Sequence, residues 1–187
     1  AKQLKAVGVD RVQVSIDGAS PCTHDRLRNK SGAFEITIQG IKNLFEVGYD
    51  PGFAFSPTLF NIHEFKDVYS LLISLGSKNG EIRTQPLMLL GRANKNLAEI
   101  RPTDLQYRKL VKEICQLNEA AVGPPIVWGD PIDHLIRFRT TSAKNCVNNC
   151  TILSNGDIIL SPYIPLVIGN IKKHSIVEYW DNGLASA

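Results

Sequence analysis

The chain carries little net charge and has no long hydrophobic run. Its 187 residues include 21 Lys and Arg against 18 Asp and Glu, which gives a formal net charge of +3 at pH 7. A charge this small does not favour a nucleic acid or an anionic membrane as partner. No run approaches the roughly 18 apolar residues of a membrane-spanning helix. We therefore expect one sizeable globular domain that binds neither a nucleic acid nor a membrane.

Cysteines are also few. The four are Cys22, Cys115, Cys146 and Cys150, too few for a disulfide scaffold in a chain of this size, which favours a reducing, cytoplasmic setting. Cys115 falls in a helical pattern and is expected to be a small buried hydrophobe. Cys146 and Cys150 could share a metal ion or cluster, but such sites usually need four soft ligands, and two buried thiols remain the alternative.

Both ends of the sequence suggest a piece of a longer protein. There is no initiator Met, and the opening "AKQLKAVG" has the pattern of the last turns of a helix that ends at Gly8. The other end stops shortly after a short helix predicted to begin near Ser175. We expect further segments on both sides.

The first hundred residues alternate between strand and helix patterns. We predict strands near 10–16, 53–58 and 81–90 and helices near 32–47 and 63–75, with Gly48 and Gly76 ending the two helices. This alternation with short links is typical of parallel βα units. Three strands cannot close a barrel, so residues 1–100 are expected to form the C-terminal part of a partial barrel.

The pattern changes after residue 100. A long helix with Thr103 as its N-cap is predicted over 101–121, and the Pro- and Gly-rich stretch that follows indicates a crossover, so that 101–144 forms a link. From 145 to 187 the sequence predicts a small β-hairpin unit. Its strands, near 150–153 and 157–160, flank Asn155-Gly156, the favoured type I′ turn pair.

The first strand ends in polar residues that could bind a ligand. Ser15 and Asp17 fall on its polar face, and His24 and Arg28 follow in the next segment, which we expect to be a loop. Arg28 could hold a ligand carboxylate in bidentate fashion, with Ser15 bonding to the same molecule. In the alternative, this is an amphipathic edge strand with a solvated face, His24 and Asp25 cap the next helix, and the arginines are solvated.

These stretches together resemble the radical SAM enzymes. "VQVSIDGAS" with "THDRLRNKSGAFEITIQGIKNLFEVGYD" resembles the fourth strand and following helix of that family. "GRA", which contains Gly91 and Arg92, fits its peptide-modifying and cofactor-maturing branch. The C-terminal "NGDIILSPYIPLVIGNI" and "SIVEYW" resemble a SPASM or twitch extension, which carries auxiliary iron–sulfur clusters. The resemblance implies a partial (βα)6 TIM-like barrel followed by such an extension.

The resemblance also implies roles for single residues. Ser15 would lie against the ribose or methionyl part of S-adenosylmethionine, and Arg28, at the family's "HD-x-x-R" position, would hold its carboxylate. Asp17 would stand in the same inner wall, near the substrate. Thr58 and Asn61, in "SPTLFN", would lie near the adenine.

Two departures from the family pattern concern iron. The Cys-x-x-x-Cys-x-x-Cys motif for the catalytic [4Fe–4S] cluster is absent from these residues, and the resemblance places it upstream. In the extension, Cys146 is followed at the expected spacing by Gly156, but Ser161 stands where a cysteine belongs, and a serine is a far poorer iron ligand. An auxiliary cluster is therefore either lost or completed by Cys150 and cysteines beyond residue 187.

The resemblance predicts an oxidoreductase-type radical SAM enzyme. When full length, it would cleave S-adenosylmethionine reductively to modify a peptide or a small cofactor precursor, with an electron-donor protein as partner. One alternative is a peptide-docking module that has lost its auxiliary cluster and binds a peptide by strand addition. Another is an unrelated partial βα-barrel enzyme that uses Arg28 and Arg92 to bind a phosphate or carboxylate.

Overall fold

The computed structural model describes residues 1–88, 99–129, 150–161 and 164–179. The chain forms two compact units, Ala1–Asp130 and Pro131–Ala187. The strands of the first unit are β1 (Gln13–Ser15), β2 (Gly52–Phe55), β3 (Ile82–Thr84) and β4 (Ile126–Trp128). Its helices are α1 (Lys2–Ala6), α2 (Pro21–Arg28), α3 (Ala33–Glu46), a 3-10 turn (Ile62–Glu64), α4 (Phe65–Ser74) and α5 (Asp104–Ala120).

The four strands form one parallel sheet in the order β1-β2-β3-β4. Each strand is joined to its neighbour through at least one helix, which is the connection that parallel strands require. This arrangement fits a partial TIM-like barrel and confirms the predicted α/β fold with parallel strands. In the described part of the chain, β1 and β4 lie at the two edges of the sheet.

The two faces of the sheet differ in polarity. Val14, Phe53, Ile82 and Ile126 are aligned in register across the four strands. They lie on the face that packs against the helices, where the buried core also contains Ile41 of α3, Val68 and Leu72 of α4, and Leu110 and Ile114 of α5. Because side chains alternate along a strand, the next row, which runs from Ser15 to Val127 through Ala54 and Arg83, lies on the opposite face.

The predicted N-cap of α5 is confirmed. The Thr103 hydroxyl accepts a hydrogen bond from the Gln106 backbone at 3.3 Å, and the Gln106 side chain accepts one from the Thr103 backbone at 2.8 Å, which together form a capping box. The buried face of α5 carries Leu110 and Ile114. Cys115 is one residue beyond that face and is exposed, so its predicted burial was wrong.

The segment after β1, expected to be a loop, is the helix α2. Ser20 has the extended backbone of an N-cap residue and Pro21 occupies the first helical position, where its missing N–H costs nothing. The alternative reading of Asp25 is confirmed. Its carboxylate accepts hydrogen bonds from the backbone N–H groups of Gly32 (2.6 Å) and Phe34 (2.8 Å), at the start of α3.

The segment expected to be a crossover contains β4, the fourth parallel strand. Two prolines precede the strand, and from the sequence alone they indicate irregular structure. A proline at the start of a strand is nevertheless compatible with strand pairing. The Pro125 carbonyl accepts a hydrogen bond from Ile82 N at 2.9 Å. The Asn118 side chain bonds the other edge of Ile126. Its Oδ1 accepts from the Ile126 N–H at 2.9 Å, and its Nδ2 donates to the Ile126 carbonyl at 2.8 Å. A side chain of α5 thereby satisfies backbone groups at the sheet edge.

The second unit contains an antiparallel sheet of β5 (Thr151–Ile152), β6 (Asp157–Ser161) and β7 (Ile164–Asn170), followed by the short helix α6 (Ile176–Glu178). The predicted hairpin and the helix beginning at Ser175 are confirmed, but the turn type was wrong. Type I′ needs positive φ at two residues, and in this turn only Gly156 has it (93°). Gly156 N donates to the Leu153 carbonyl, as in a type I turn followed by a bulge.

From their place in the sequence, Ile171 and Trp180 are expected to pack on this hairpin. Ile171 contacts the turn, since its backbone N–H donates to the Gly156 carbonyl at 2.9 Å, although its side chain is 43% exposed. Trp180 lies outside the described residues. The Tyr179 ring instead covers β7, at a place where a Cβ on Gly169 would lie 2.4 Å from the ring.

No helix in the described ranges is both long enough and apolar enough to cross a membrane.

The capping box gives a stability prediction. Thr103→Ala removes the acceptor for the Gln106 N–H and should lower the free energy of unfolding by about 1 kcal/mol, measured by urea denaturation. Ser70→Ala is the matched control, because Ser70 is an exposed mid-helix residue whose hydroxyl donates to the Lys66 carbonyl of the same helix turn. Equal free energies for Thr103→Ala and the parent would show that the capping box does not stabilise α5.

Candidate functional site

The predicted site residues gather where β1 and β2 end. The carboxyl ends of parallel strands and the helices that follow them are the usual place for ligand sites in α/β proteins. We call the group Ser15, Asp17, His24, Arg28 and Asn61 the β1-end cluster. Ser15 is the last residue of β1, and Asp17 lies two residues beyond it. His24 and Arg28 belong to α2, and Asn61 lies in the loop after β2.

Asp17 is the centre of the β1-end cluster. It is 6% exposed, and one carboxylate oxygen lies 2.6 Å from Nη2 of Arg28. The other accepts a hydrogen bond from the backbone N–H of Ser56 at 3.1 Å. A buried carboxylate is tolerated only when it is paired and hydrogen-bonded, and these two partners meet that need. The contacts tie the end of β1 to α2 and to the residue that follows β2.

His24 lies beneath Asp17 and is 1% exposed. Its Nδ1 accepts a hydrogen bond from the Asp17 backbone N–H at 3.1 Å, and its Nε2 is 3.3 Å from the Thr37 hydroxyl. An accepting Nδ1 carries no proton, so the ring is neutral. Burial lowers the pKa of His24. The negative charge of Asp17 opposes this effect, and the positive charge of Arg28 adds to it. His24 therefore acts as a neutral acceptor for the β1 end.

Asn61 is fully buried and uses its whole amide. Its Nδ2 donates to the carbonyls of Asp17 (2.9 Å) and Ser56 (3.0 Å). Its Oδ1 accepts from the backbone N–H and the hydroxyl of Thr58, at 2.6 and 2.9 Å. Thr58 is itself 6% exposed. Asn61 and Thr58 therefore satisfy backbone groups at two strand ends and bind each other.

Sequence reasoning did not identify Glu64, which anchors the same region. Its carboxylate accepts hydrogen bonds from the Ala19 backbone N–H (3.1 Å) and from the Thr23 hydroxyl. Glu64 sits in the 3-10 turn before α4, and its sequence context, "NIHEF", carries no signal that would connect it with residues about 45 positions earlier. The loop it anchors is tight, because a Cβ on Gly18 would lie 2.8 Å from His24 N.

An open groove of about 460 Å³ lies beside the β1-end cluster. Ser15, His24 and Arg28 line it, together with Gln13, Val14, Lys30, Ala33, Ile36 and Thr37. Ser15 is exposed, and the Arg28 side chain is 39% exposed. The structure thus brings Ser15 and Arg28 to one groove and places Asp17, Thr58 and Asn61 in the buried layer behind it. A hydroxyl beside a guanidinium and Lys30 can bind a small molecule that carries a carboxylate.

A second groove, of about 530 Å³, lies along α2 and is lined by residues that include Cys22 and Arg26. Arg26 stacks on the Phe60 ring, 3.9 Å from its centroid. This groove shares only Lys30 with the first and contains none of the β1-end cluster. We therefore place the candidate site at the first groove.

Of the two predicted metal ligands, Cys146 and Cys150, the structure describes Cys150. Cys146 and the Gly91-Arg92 pair lie outside the described residues. Cys150 is described, half-buried and not in a disulfide, and Ser161 is described as the last residue of β6. Within the described ranges, no group of three or more His, Cys, Asp or Glu side chains is arranged to hold a metal ion.

The lowered pKa of His24 predicts a pH dependence of stability. The unfolded chain, with an ordinary histidine pKa of 6.5, binds a proton that the folded ring does not. The free energy of unfolding should therefore have its full value above pH 6.5 and decrease as the pH falls from 6.5 towards the folded-state pKa. His24→Gln should remove this decline in urea-denaturation measurements, whereas His63→Gln, at an exposed position, should retain it. If His24→Gln lost stability below pH 6.5 as the parent does, other titratable groups would be responsible for the loss.

Comparison with known proteins identifies the family. No protein-family model matches the chain. It is 38% identical to the AdoMet-dependent heme synthase of Oleidesulfovibrio alaskensis over 96% of its length and 50% of the relative's. It is 27% identical to that of Methanosarcina barkeri over 97% of its length and 56% of the relative's. Mycofactocin maturase MftC of Mycolicibacterium smegmatis is 26% identical over 80% of this chain and 36% of the relative.

The chain thus spans about half the length of the curated relatives it matches most fully. The alignments with both heme synthases run through almost all of this chain, including the β1-end cluster and its groove. The chain belongs to the radical SAM superfamily.

Proposed function

We propose that the full-length protein is a radical SAM enzyme that binds S-adenosylmethionine in the groove beside β1 and cleaves it reductively. The observation that carries this proposal is the convergence of Ser15 and Arg28 on one groove at the end of β1, in a chain of this superfamily. S-adenosylmethionine presents a carboxylate and a ribose diol, and the groove offers a guanidinium and a hydroxyl to match them.

We assign the residues of this chain as follows. Arg28 binds the carboxylate of the cofactor, and Ser15 bonds to its ribose or methionyl part. Asp17, Thr58 and Asn61 serve the same site from the buried layer, where they fix the strand ends that carry the binding groups. The [4Fe–4S] cluster of such an enzyme supplies the electron for cleavage when bound, and its cysteine ligands belong to the segment upstream of this sequence.

The substrate class we propose is a peptide or a small cofactor precursor. Relatives named heme synthase and Fe-coproporphyrin III synthase, at up to 38% identity, favour a precursor of the tetrapyrrole class. Relatives named as maturases of mycofactocin and of the sporulation killing factor, both at 26% identity, support a peptide as the second candidate. An electron-donor protein completes the proposed system, which we place in the cytoplasm. Membership of the superfamily rules out the unrelated-barrel alternative.

The two substrate candidates can be separated by an assay on the reconstituted full-length protein. Formation of methionine and 5′-deoxyadenosine should rise well above its substrate-free rate with an iron-tetrapyrrole precursor under reducing, anaerobic conditions. A rise with a candidate peptide alone would favour the maturase class. No cleavage of S-adenosylmethionine under any condition would contradict the proposed activity.

We further propose that residues 145–187 form a SPASM- or twitch-like extension. Of the range 101–144 that the sequence predicted as a link, α5 and β4 belong to the first unit and extend its parallel sheet. The hairpin of β5 and β6 supports this, because Cys150 immediately precedes β5 and Ser161 ends β6. The remaining candidate ligands of an auxiliary cluster are Cys146 and Cys150. If the cluster has been lost altogether, the extension would act as a peptide-docking module.

Arg28 provides the direct test of the cofactor site. Arg28→Ala in the full-length protein should weaken S-adenosylmethionine binding by about 1.5–3 kcal/mol, the range for a hydrogen bond to a charged group. This corresponds to roughly ten- to hundredfold in the dissociation constant, measurable by calorimetry. Arg26→Ala is the matched control, because it removes the same charge from the same helix but contacts Phe60. Unchanged affinity in Arg28→Ala would refute the assignment.

Ser161 provides the test of the extension. Ser161→Cys should add iron per chain and a broad absorbance near 400 nm (roughly, as for thiolate-ligated clusters) if the serine is what cripples an auxiliary site. Ser154→Cys, in the turn of the same hairpin, is the control for adventitious thiol binding. No gain in iron, together with no auxiliary cluster in the parent protein, would favour the docking module.

A further inference from the structure

The ion pair between Asp17 and Arg28 does more than neutralise a buried charge. We propose that Asp17 is a positioning residue, which fixes the Arg28 guanidinium at the edge of the groove and does not itself touch the ligand. This inference rests on the proposed function, since it concerns the same binding groove and assigns a distinct role to a residue behind it.

The exposures of the two side chains support this division. The Asp17 side chain is 8% exposed and that of Arg28 is 39% exposed, although their polar atoms are 2.6 Å apart. The pair therefore runs from the buried layer to the groove. Arg28 lines the groove, whereas Asp17 is not among its lining residues. A guanidinium has five N–H donors in a planar fork, so a contact through Nη2 leaves donors for a ligand carboxylate.

Asp17 can position Arg28 because Asp17 itself is held by three hydrogen bonds from two elements, α2 and the loop after β2. Its other carboxylate oxygen accepts the Ser56 N–H beyond β2, its backbone N–H donates to His24 of α2, and its carbonyl accepts from Asn61. The carboxylate thus has one orientation. A free arginine side chain loses much conformational entropy when it binds a ligand. An arginine that Asp17 already holds has lost that entropy before the ligand binds.

The backbone of Arg28 is fixed as well. Arg28 is the last residue of α2, and Asn29 follows in the left-handed conformation (φ 50°), with its N–H bonded to the Arg26 carbonyl. The α2 helix is in turn tied to the start of α3 by Asp25. Asp17 therefore supplies the remaining constraint, on the far end of the side chain.

The test is a double-mutant cycle in the full-length protein, with S-adenosylmethionine affinity measured by calorimetry. Asp17→Asn keeps an oxygen for the Ser56 N–H but loses the charge that holds the guanidinium, and it should weaken binding roughly tenfold, as for loss of a charged hydrogen bond. Asp17→Asn combined with Arg28→Ala should bind no more than about twofold weaker than Arg28→Ala alone, because Asp17 acts only through Arg28. If Asp17→Asn weakened binding by the same factor in the Arg28→Ala background as in the parent, the inference would be overturned. A direct contact between Asp17 and the ligand, or a general loss of structure, predicts that result.

Two controls keep the result interpretable. Thermal unfolding of each variant shows whether it folds, and if Asp17→Asn does not, Asp17→Glu takes its place in the same cycle, where an equal factor in both backgrounds would again overturn the inference. In ¹⁵N NMR spectra, rotation of the Arg28 guanidinium should be slow in the parent and fast in the Asp17 variant, with Arg26 as internal reference. Equal rotation rates in both would also overturn it.

The two proposals fail in different ways. If Arg28→Ala binds S-adenosylmethionine as the parent does, the assignment of the groove fails. If Arg28→Ala weakens binding but Asp17→Asn does not, the groove assignment stands and only the positioning role is wrong.

Discussion

The buried carboxylate of Asp17 constrains the carboxyl ends of β1 and β2 and the position of α2. A charge removed from water must be compensated by an opposite charge and by hydrogen bonds, and Asp17 obtains these from Arg28 on α2 and from Ser56 beyond β2. The compensation works only while α2 and both strand ends keep their places. Loss of one partner leaves an uncompensated buried charge, so the local fold and the direction of Arg28 are enforced together.

The polar residues around Asp17 solve a backbone problem. Beyond the last ladder hydrogen bonds, the N–H and carbonyl groups of Asp17, Ser56 and Thr58 have no strand partner, and buried backbone groups without partners are costly. His24 accepts a hydrogen bond from the Asp17 N–H, and the Ser56 N–H donates to the Asp17 carboxylate. Asn61 donates to the carbonyls of Asp17 and Ser56 and accepts from the Thr58 N–H. Because every capacity of the Asn61 amide is used, a shorter or apolar side chain at that position would leave several groups unpaired at once.

Much of the fold could be predicted from local sequence patterns, and the failures have identifiable causes. The βα alternation, the Thr103 cap and the hairpin depend on residues close in sequence. The β4 strand was missed because Pro124 and Pro125 stand before it, and local chemistry cannot show that Ile126 pairs with Ile82, 44 positions away. The α2 helix was missed although Ser20-Pro21 is a valid helix start.

The candidate site shows the same limit. Alternation along β1 predicts which face a side chain occupies but not how deeply the next elements cover it. Ser15 and Asp17 are two residues apart and are predicted on the same face, yet Ser15 is exposed and Asp17 is buried. The difference arises because α2 and the loop after β2 cover the end of the strand. The hydrogen bonds that bury Asp17 join residues 39 and 44 positions apart, which no motif of short spacing encodes. The roles predicted for Asp17, Thr58 and Asn61 as direct contacts rested on sequence position alone.

The charge balance of the site has a consequence for ligand choice. Asp17 neutralises Arg28, so among the described residues that line the groove, Lys30 supplies the uncompensated positive charge. An unpaired arginine would attract any anion, whereas a paired one offers oriented donors with little net field. The proposed cofactor carries a sulfonium and an ammonium beside its carboxylate, and a strongly positive groove would repel both. A neutral pair that presents N–H groups in a fixed direction discriminates by geometry, which suits a ligand with charges of both signs better than a phosphate.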